Sequence, residues 1–224
     1  MQGYTYLSTN LVPGQRTATK LLKAYFASCY TPEDTRTLIS SPTYSVTTEK
    51  VAVQLFTYES SITRFTKSAN PVKSTSKLTD SALNQLVAAL SRLFTALMRP
   101  TTINTSAGTN TVPVQLRIVR LHHPYLNSSI LAQFLALNAS KYGFARLRHY
   151  VLSAIPLTTI SNPTTDSVIL GVKVQVSGLL TTQRMAPRKT VSTVTTGTFH
   201  GPNTHVDYSS HTSKSALGSY TVKV

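Results

Sequence analysis

Two stretches near the C-terminal end alternate apolar and polar residues without a break. In GVKVQVSG, residues 171–178, Val172, Val174 and Val176 fall on one side and Lys173, Gln175 and Ser177 on the other. In SYTVKV, residues 219–224, Tyr220, Val222 and Val224 oppose Thr221 and Lys223. Successive side chains of a strand point to opposite faces, so this period of two dictates half-buried β-strands. In both stretches the outward face is polar and carries a lysine. What that face meets is the central question the sequence poses.

The same alternation appears in EKVAVQLFTYE, where Val51, Val53 and Leu55 oppose Ala52, Gln54 and Phe56, and in VPVQLRIVRL, where Val114, Leu116 and Ile118 oppose Gln115, Arg117 and Val119. A helical period replaces it in TDSALNQLVAALSRLFTALMRP. There Leu83, Leu86, Val87, Leu90, Leu93, Phe94 and Leu97 recur at steps of three and four, with Thr79 or Asp80 to cap the start and Pro100 to stop it. That stripe reads as a core-facing helix. A shorter amphipathic helix is expected over Ala18–Cys29, carrying Leu21, Leu22, Tyr25 and Phe26. Residues 1–18, with Pro13 and Gly14, read as an extended arm, the Pro/Ser/Thr-rich residues 31–48 as a loop, 60–78 as a basic linker, and 101–111 as the join between domains.

Beyond that join the strand at 112–121 is followed by two expected helices. One covers Ile130–Leu137, capped by Asn127, and one runs from Lys141 to Ile155 and is closed by Pro156. Four strands come after, at 168–178, from Arg184 to Thr198, near His205–Ser210, and at the C-terminal end. Strands in succession joined by short links favour an antiparallel sheet, with helices covering its apolar face. The fold class expected is α+β.

Charge narrows the partners. There are 22 Lys+Arg against 7 Asp+Glu, a formal net charge of +15, although charged residues make up only 13% of the chain. An excess of one sign repels itself in a compact fold unless something neutralises it. Nucleic acid presents the densest row of negative charge and gains from counterion release, which places it ahead of anionic lipid or acidic protein. Membrane is not expected, since no apolar run reaches the ~18–20 residues of a spanning helix. A single cysteine, Cys29, leaves no intrachain disulfide and reads as a small buried side chain. The N-terminal residues lack the layout of a secretory signal and the Arg-rich helix of a transit peptide, so the chain is expected to stay where it is made or to be already mature.

Four stretches in sequence resemble the universal small-subunit ribosomal protein three family. GVKVQVSGLL is similar to that family's Gly-Ile-Lys-Val-x-Val-Ser-Gly-Arg-Leu strand, and MAPRKT at 185–190 resembles its Ile-Ala-Arg-Thr. Val206-Asp207-Tyr208, Gly218 and Val222-Lys223-Val224 match its closing segment, and VPVQLRI followed by PYLN resembles the join into its C-terminal domain. The high Ser/Thr content and the degenerate first half resemble the fungal mitochondrial branch.

After the extended arm at 1–18, the resemblance implies two domains: a degenerate K-homology-like domain at 19–111, and a C-terminal domain at 112–224 of two helices packed on a four-stranded antiparallel sheet. Strand 51–58, helix 80–98 and strand 112–121 would be the remains of the K-homology shape. No Gly-x-x-Gly exists in the chain, so the family's backbone clamp is not carried over.

The resemblance further implies a structural constituent of the mitochondrial ribosome, ribosome-bound in the matrix. It would bind rRNA of the small-subunit head, border the channel through which mRNA enters, and touch neighbouring small-subunit proteins. The rival is a free K-homology-type RNA-binding regulator outside the ribosome, which the missing clamp disfavours.

The candidate RNA-binding residues follow from charge and placement. In KYGFARLRHYV, a helix would gather Phe144, Leu147, Val151 and Ile155 on one face and Lys141, Arg148 and His149 on the other, with Arg146 at the edge. By the resemblance this face points to mRNA, Arg146 matching a basic position and His149 replacing another; the plain alternative is a solvated basic face. The strand faces offer Lys173, Arg184, Arg188, Lys189 and Lys223, and the join offers Arg117 and Arg120. Guanidinium groups fit phosphate through a bidentate fork. Tyr4, Tyr6, Tyr125, Tyr142 and Tyr150 could stack on bases or equally pack at protein contacts.

No enzyme is expected, and neither cofactor nor metal. The carboxylates do not cluster as metal-dependent nucleic-acid chemistry requires, and no Gly-x-Ser-x-Gly elbow occurs. His200, His205 and His211 fit no common metal spacing.

Overall fold

The structure, a computed structural model, describes residues 11–28, 35–46, 50–61, 80–98, 112–139, 155, 169–179, 190–199, 205–215 and 218–224. The chain divides into two compact units, Met1–Arg120 and Leu121–Val224.

The first unit runs α1 (Leu11–Ser28), β1 (Thr35–Ile39), β2 (Thr43–Val46), β3 (Val51–Ser61), α2 (Asp80–Met98) and β4 (Val114–Arg120). β1 and β2 lie end to end along one edge of β3, both antiparallel to it, and β4 runs parallel along the other edge. Ile39 faces Thr57 and Thr43 faces Gln54, so residues 40–42 span what residues 55–56 span opposite: one residue is extra, a β-bulge. Ser40 holds it, donating its N–H to the Phe56 carbonyl at 2.9 Å and accepting the Phe56 N–H on Oγ at 3.0 Å. Pro42, which has no N–H to give, sits where no ladder bond is needed.

The core of this unit lies between sheet and helices. Val51, Val53 and Leu55 of β3 meet Ala18, Leu22 and Phe26 of α1 and Leu86, Leu90 and Phe94 of α2, all buried. Val114, Leu116 and Ile118 stand in register beside the β3 valines and leucine. The expected stripe of α2 is thus core-facing, at its four-residue spacing.

Three expectations are corrected here. Residues 11–18 are not an extended arm but the first turns of α1, which starts seven residues before the expected Ala18. Pro13 falls in the first turn, where its missing N–H is unpaired in any helix and its fixed φ suits the coil. Residues 31–48 are not only loop, because β1 and β2 lie within them. The strand at 112–121, expected both to open the domain at 112–224 and to belong to the remains of the K-homology shape, completes the first sheet, so the division falls after Arg120 rather than at 111.

The second unit begins with a short 3-10 turn, Pro124–Leu126, followed by α3 (Ser128–Ala139), β5 (Gly171–Gly178), β6 (Val191–Gly197), β7 (Ser210–Ser215) and β8 (Gly218–Lys223). The strands form an antiparallel sheet in the order β6-β5-β8-β7, the four-stranded arrangement expected. α3 is capped as its sequence implies: Asn127 Oδ1 accepts the N–H groups of Ser129 and Ile130 at 3.1 and 3.2 Å. Asp207 Oδ2 accepts that of Ser128 at 3.3 Å, a carboxylate at the positive end of the helix.

Val174 and Val176 of β5 and Tyr220 and Val222 of β8 are buried on the face that α3 covers, and the Tyr220 hydroxyl donates to the Ala136 carbonyl. Gly178 ends β5 at φ +119°, where a Cβ would meet the Ser219 carbonyl at 2.6 Å. The helix expected over Lys141–Ile155 lies outside the described residues except for Ile155, which is buried. The third strand, expected at 205–210, is displaced to 210–215.

Candidate nucleic-acid interface

Register assembles the outward face of the second sheet residue by residue. Lys173 lies beside Thr195; Gln175 lies between Thr193 and Lys223, and Lys223 beside Ser210. Ser177 lies between Val191 and Thr221, Thr221 beside Thr212, and Ser219 beside Lys214. The hydroxyls of Thr212 and Thr221 meet at 3.0 Å. Apart from Val191 at one edge, the face is therefore a carpet of hydroxyl and amide groups with Lys173, Lys214 and Lys223 standing in it, and its described residues include no Asp or Glu. Such a surface donates hydrogen bonds and positive charge together, which is the chemistry that phosphate oxygens accept.

The acidic side chains among the described residues are engaged elsewhere. Glu59 Oε2 holds Arg120 Nη2 at 2.7 Å, Asp207 serves the start of α3, and Asp80 lies in the first turn of α2. Among the described residues, Lys173, Lys214 and Lys223 have no carboxylate partner.

Four of the candidate residues are described. Lys173 and Lys223 share the outward face of the second sheet, as expected. Arg117 is exposed on the face of the first sheet turned from its helices, with Nη2 3.4 Å from Gln115 Oε1. Arg120 is committed to Glu59. Lys141, Arg146, Arg148, His149, Arg184, Arg188 and Lys189 lie outside the described residues.

The sequence carries no signal for Lys214, because β7 has no apolar residue to announce it: its inward positions are His211 and Ser213. Tyr125, a candidate for base stacking, already stacks on His123 at 5.0 Å between ring centres, 8° from parallel. Among the described residues no group of three His, Cys, Asp or Glu is placed to hold a metal ion, and no helix is long and apolar enough to cross a membrane.

Two comparisons place the chain among known proteins. Residues 37–224 match the family model described as mitochondrial ribosomal protein (VAR1). The chain is also 33% identical over 197 residues to the small ribosomal subunit protein uS3m of Mycosarcoma maydis, an alignment that covers 83% of this chain and 66% of that relative.

Proposed function

This chain belongs to the mitochondrial ribosomal protein family of VAR1 and uS3m, and on that premise we propose that it is a structural constituent of the mitochondrial small ribosomal subunit. It binds rRNA of the subunit head, borders the path by which mRNA enters, and is held among neighbouring small-subunit proteins. Its role is to neutralise phosphates and fix RNA in place, not to catalyse.

The observation that carries RNA binding is the outward face of the second sheet, with Lys173, Lys214 and Lys223 among hydroxyls and no described carboxylate. Arg184, Arg188 and Lys189 extend this positive set along the sequence, and Lys141, Arg146, Arg148 and His149 form the mRNA-facing set.

The first unit is a reduced K-homology fold on this reading. Supporting it are the order helix, three strands of which β1 and β2 both pair antiparallel with β3, helix, and a last strand parallel to β3. With no Gly-x-x-Gly in the sequence, the unit has no backbone clamp and does not bind single strands in that way.

Sedimentation of the tagged chain from mitochondria tests the proposal. Co-migration with small subunits that survives moderate salt is the expected result. A pool that runs free of subunits and is shifted only by RNase identifies a stand-alone RNA-binding regulator and overturns it.

A further inference from the structure

We infer that α1 carries a second RNA-binding surface, in which Arg16, Lys20 and Lys23 lie along a phosphodiester backbone and serve the first unit in place of the missing clamp. This rests on the RNA-binding reading above but concerns a different unit and none of the residues invoked there.

At 3.6 residues per turn, positions 16, 20 and 23 fall on one side of α1 and positions 18, 22 and 26 on the other. Ala18, Leu22 and Phe26 are at most 2% exposed, packed in the core of the unit. Arg16, Lys20 and Lys23 are exposed. The apolar side fixes the helix, so the basic side is presented outward as a rigid row.

The row extends over ~10 Å at 1.5 Å per residue. A nucleic-acid strand carries about three phosphates in that length, one per ~3.4 Å of axis. Ala24 and Ala27 are exposed beside the cations and are small enough to let a backbone come close. Among the described residues no carboxylate pairs with any of the three, since Glu59, Asp80 and Asp207 are placed as described above. The charge is complementary to an anionic polymer, and RNA is the polymer that this chain's family keeps in reach.

The test compares three full-length proteins binding a short RNA duplex between about 50 and 200 mM salt. They are the unsubstituted chain, an α1 variant (Arg16→Ala, Lys20→Ala, Lys23→Ala) and a sheet variant (Lys173→Ala, Lys214→Ala, Lys223→Ala). The α1 variant is expected to lower the slope of log affinity against log salt by about 2–3. Over that fourfold range of salt it should lose ~16–64-fold less affinity than the unsubstituted chain. An exchange that keeps the charge, Arg16→Lys with Lys20→Arg and Lys23→Arg, should restore the slope. An unchanged urea midpoint shows that the loss is not unfolding, and Lys20→Gln alone should lower the slope by about 1.

If the α1 variant matches the unsubstituted chain while the sheet variant weakens, this inference falls and the function proposed above stands. If the unsubstituted chain ignores RNA at low salt, both fall. Loss of binding to phosphatidylserine vesicles with RNA binding intact assigns the row to a lipid surface and overturns the inference.

Discussion

Arg120 Nη2 meets Glu59 Oε2 at 2.7 Å, fastening the end of β4 to β3 across the parallel pair. A guanidinium held by a carboxylate within its own sheet brings little net charge to a phosphate. The pair predicts that Arg120 serves as a strand clasp more than as an RNA contact. Arg120→Ala should leave the salt dependence of RNA binding close to that of the unsubstituted chain. Because the arginine side chain is 61% exposed, the loss of stability should be under ~1 kcal/mol, read as a small fall in the urea midpoint.

The lysines of the second sheet behave differently. Lys173, Lys214 and Lys223 face outward with no described carboxylate beside them, so each contributes its full charge. Replacing all three by alanine should weaken RNA binding at every sequence alike and lower the salt slope by about 2–3. Discrimination between RNA sequences should not change, since phosphate contacts position without specifying. Titration of several unrelated RNAs checks this, and selective loss of one sequence would mean that the sheet reads bases.

Much of the architecture was legible where one face of an element is apolar. Val51, Val53 and Leu55 mark β3, Leu86, Leu90 and Phe94 mark α2, and Tyr220 with Val222 marks β8, because burial leaves its period in the sequence. What escaped is what the core does not write. β7 is an edge strand whose inward positions are His211 and Ser213. The residues that drew the expected strand to 205–210, Val206 and Tyr208, are instead 80% and 65% exposed. β1 and β2 were hidden by Pro42, which reads as a loop residue but occupies a bulge. Arg16 shares the basic side of α1 with Lys20 and Lys23 because the helix begins at Leu11, seven residues before the apolar spacing marks it.

The start of α3 is held by two side chains of different reach. Asn127 caps it locally through two N–H groups, and Asp207 reaches it from a segment 79 residues away. Asn127→Ala should cost ~1 kcal/mol, as for other N-caps. Asp207→Asn keeps an acceptor but removes the charge at the helix end, so it should cost less, ~0.3–1 kcal/mol, and the difference should shrink in salt. Chemical denaturation at low and high salt separates the two.

Tyr44 of β2 ties the sheet to both helices. Its ring lies 6.1 Å from that of Phe94, and its hydroxyl is hydrogen-bonded to Thr19 Oγ1 at 2.9 Å. Burial raises the phenol's pKa above its ordinary 10.0, a rise that the Thr19 hydrogen bond partly offsets. With the folded pKa above the unfolded one, Tyr44's contribution is fully present below pH 10.0. As pH rises through the folded value that contribution is lost, because the unfolded chain gives up its proton first. Tyr44→Phe should cost about 0.5–1.5 kcal/mol at neutral pH through the lost hydrogen bond. It should also flatten the fall in stability at alkaline pH, so the two proteins converge there. Urea midpoints of both, measured from neutral pH upward, decide the matter: a constant gap across the range would show that Tyr44 ionises no later in the folded chain than in the unfolded one.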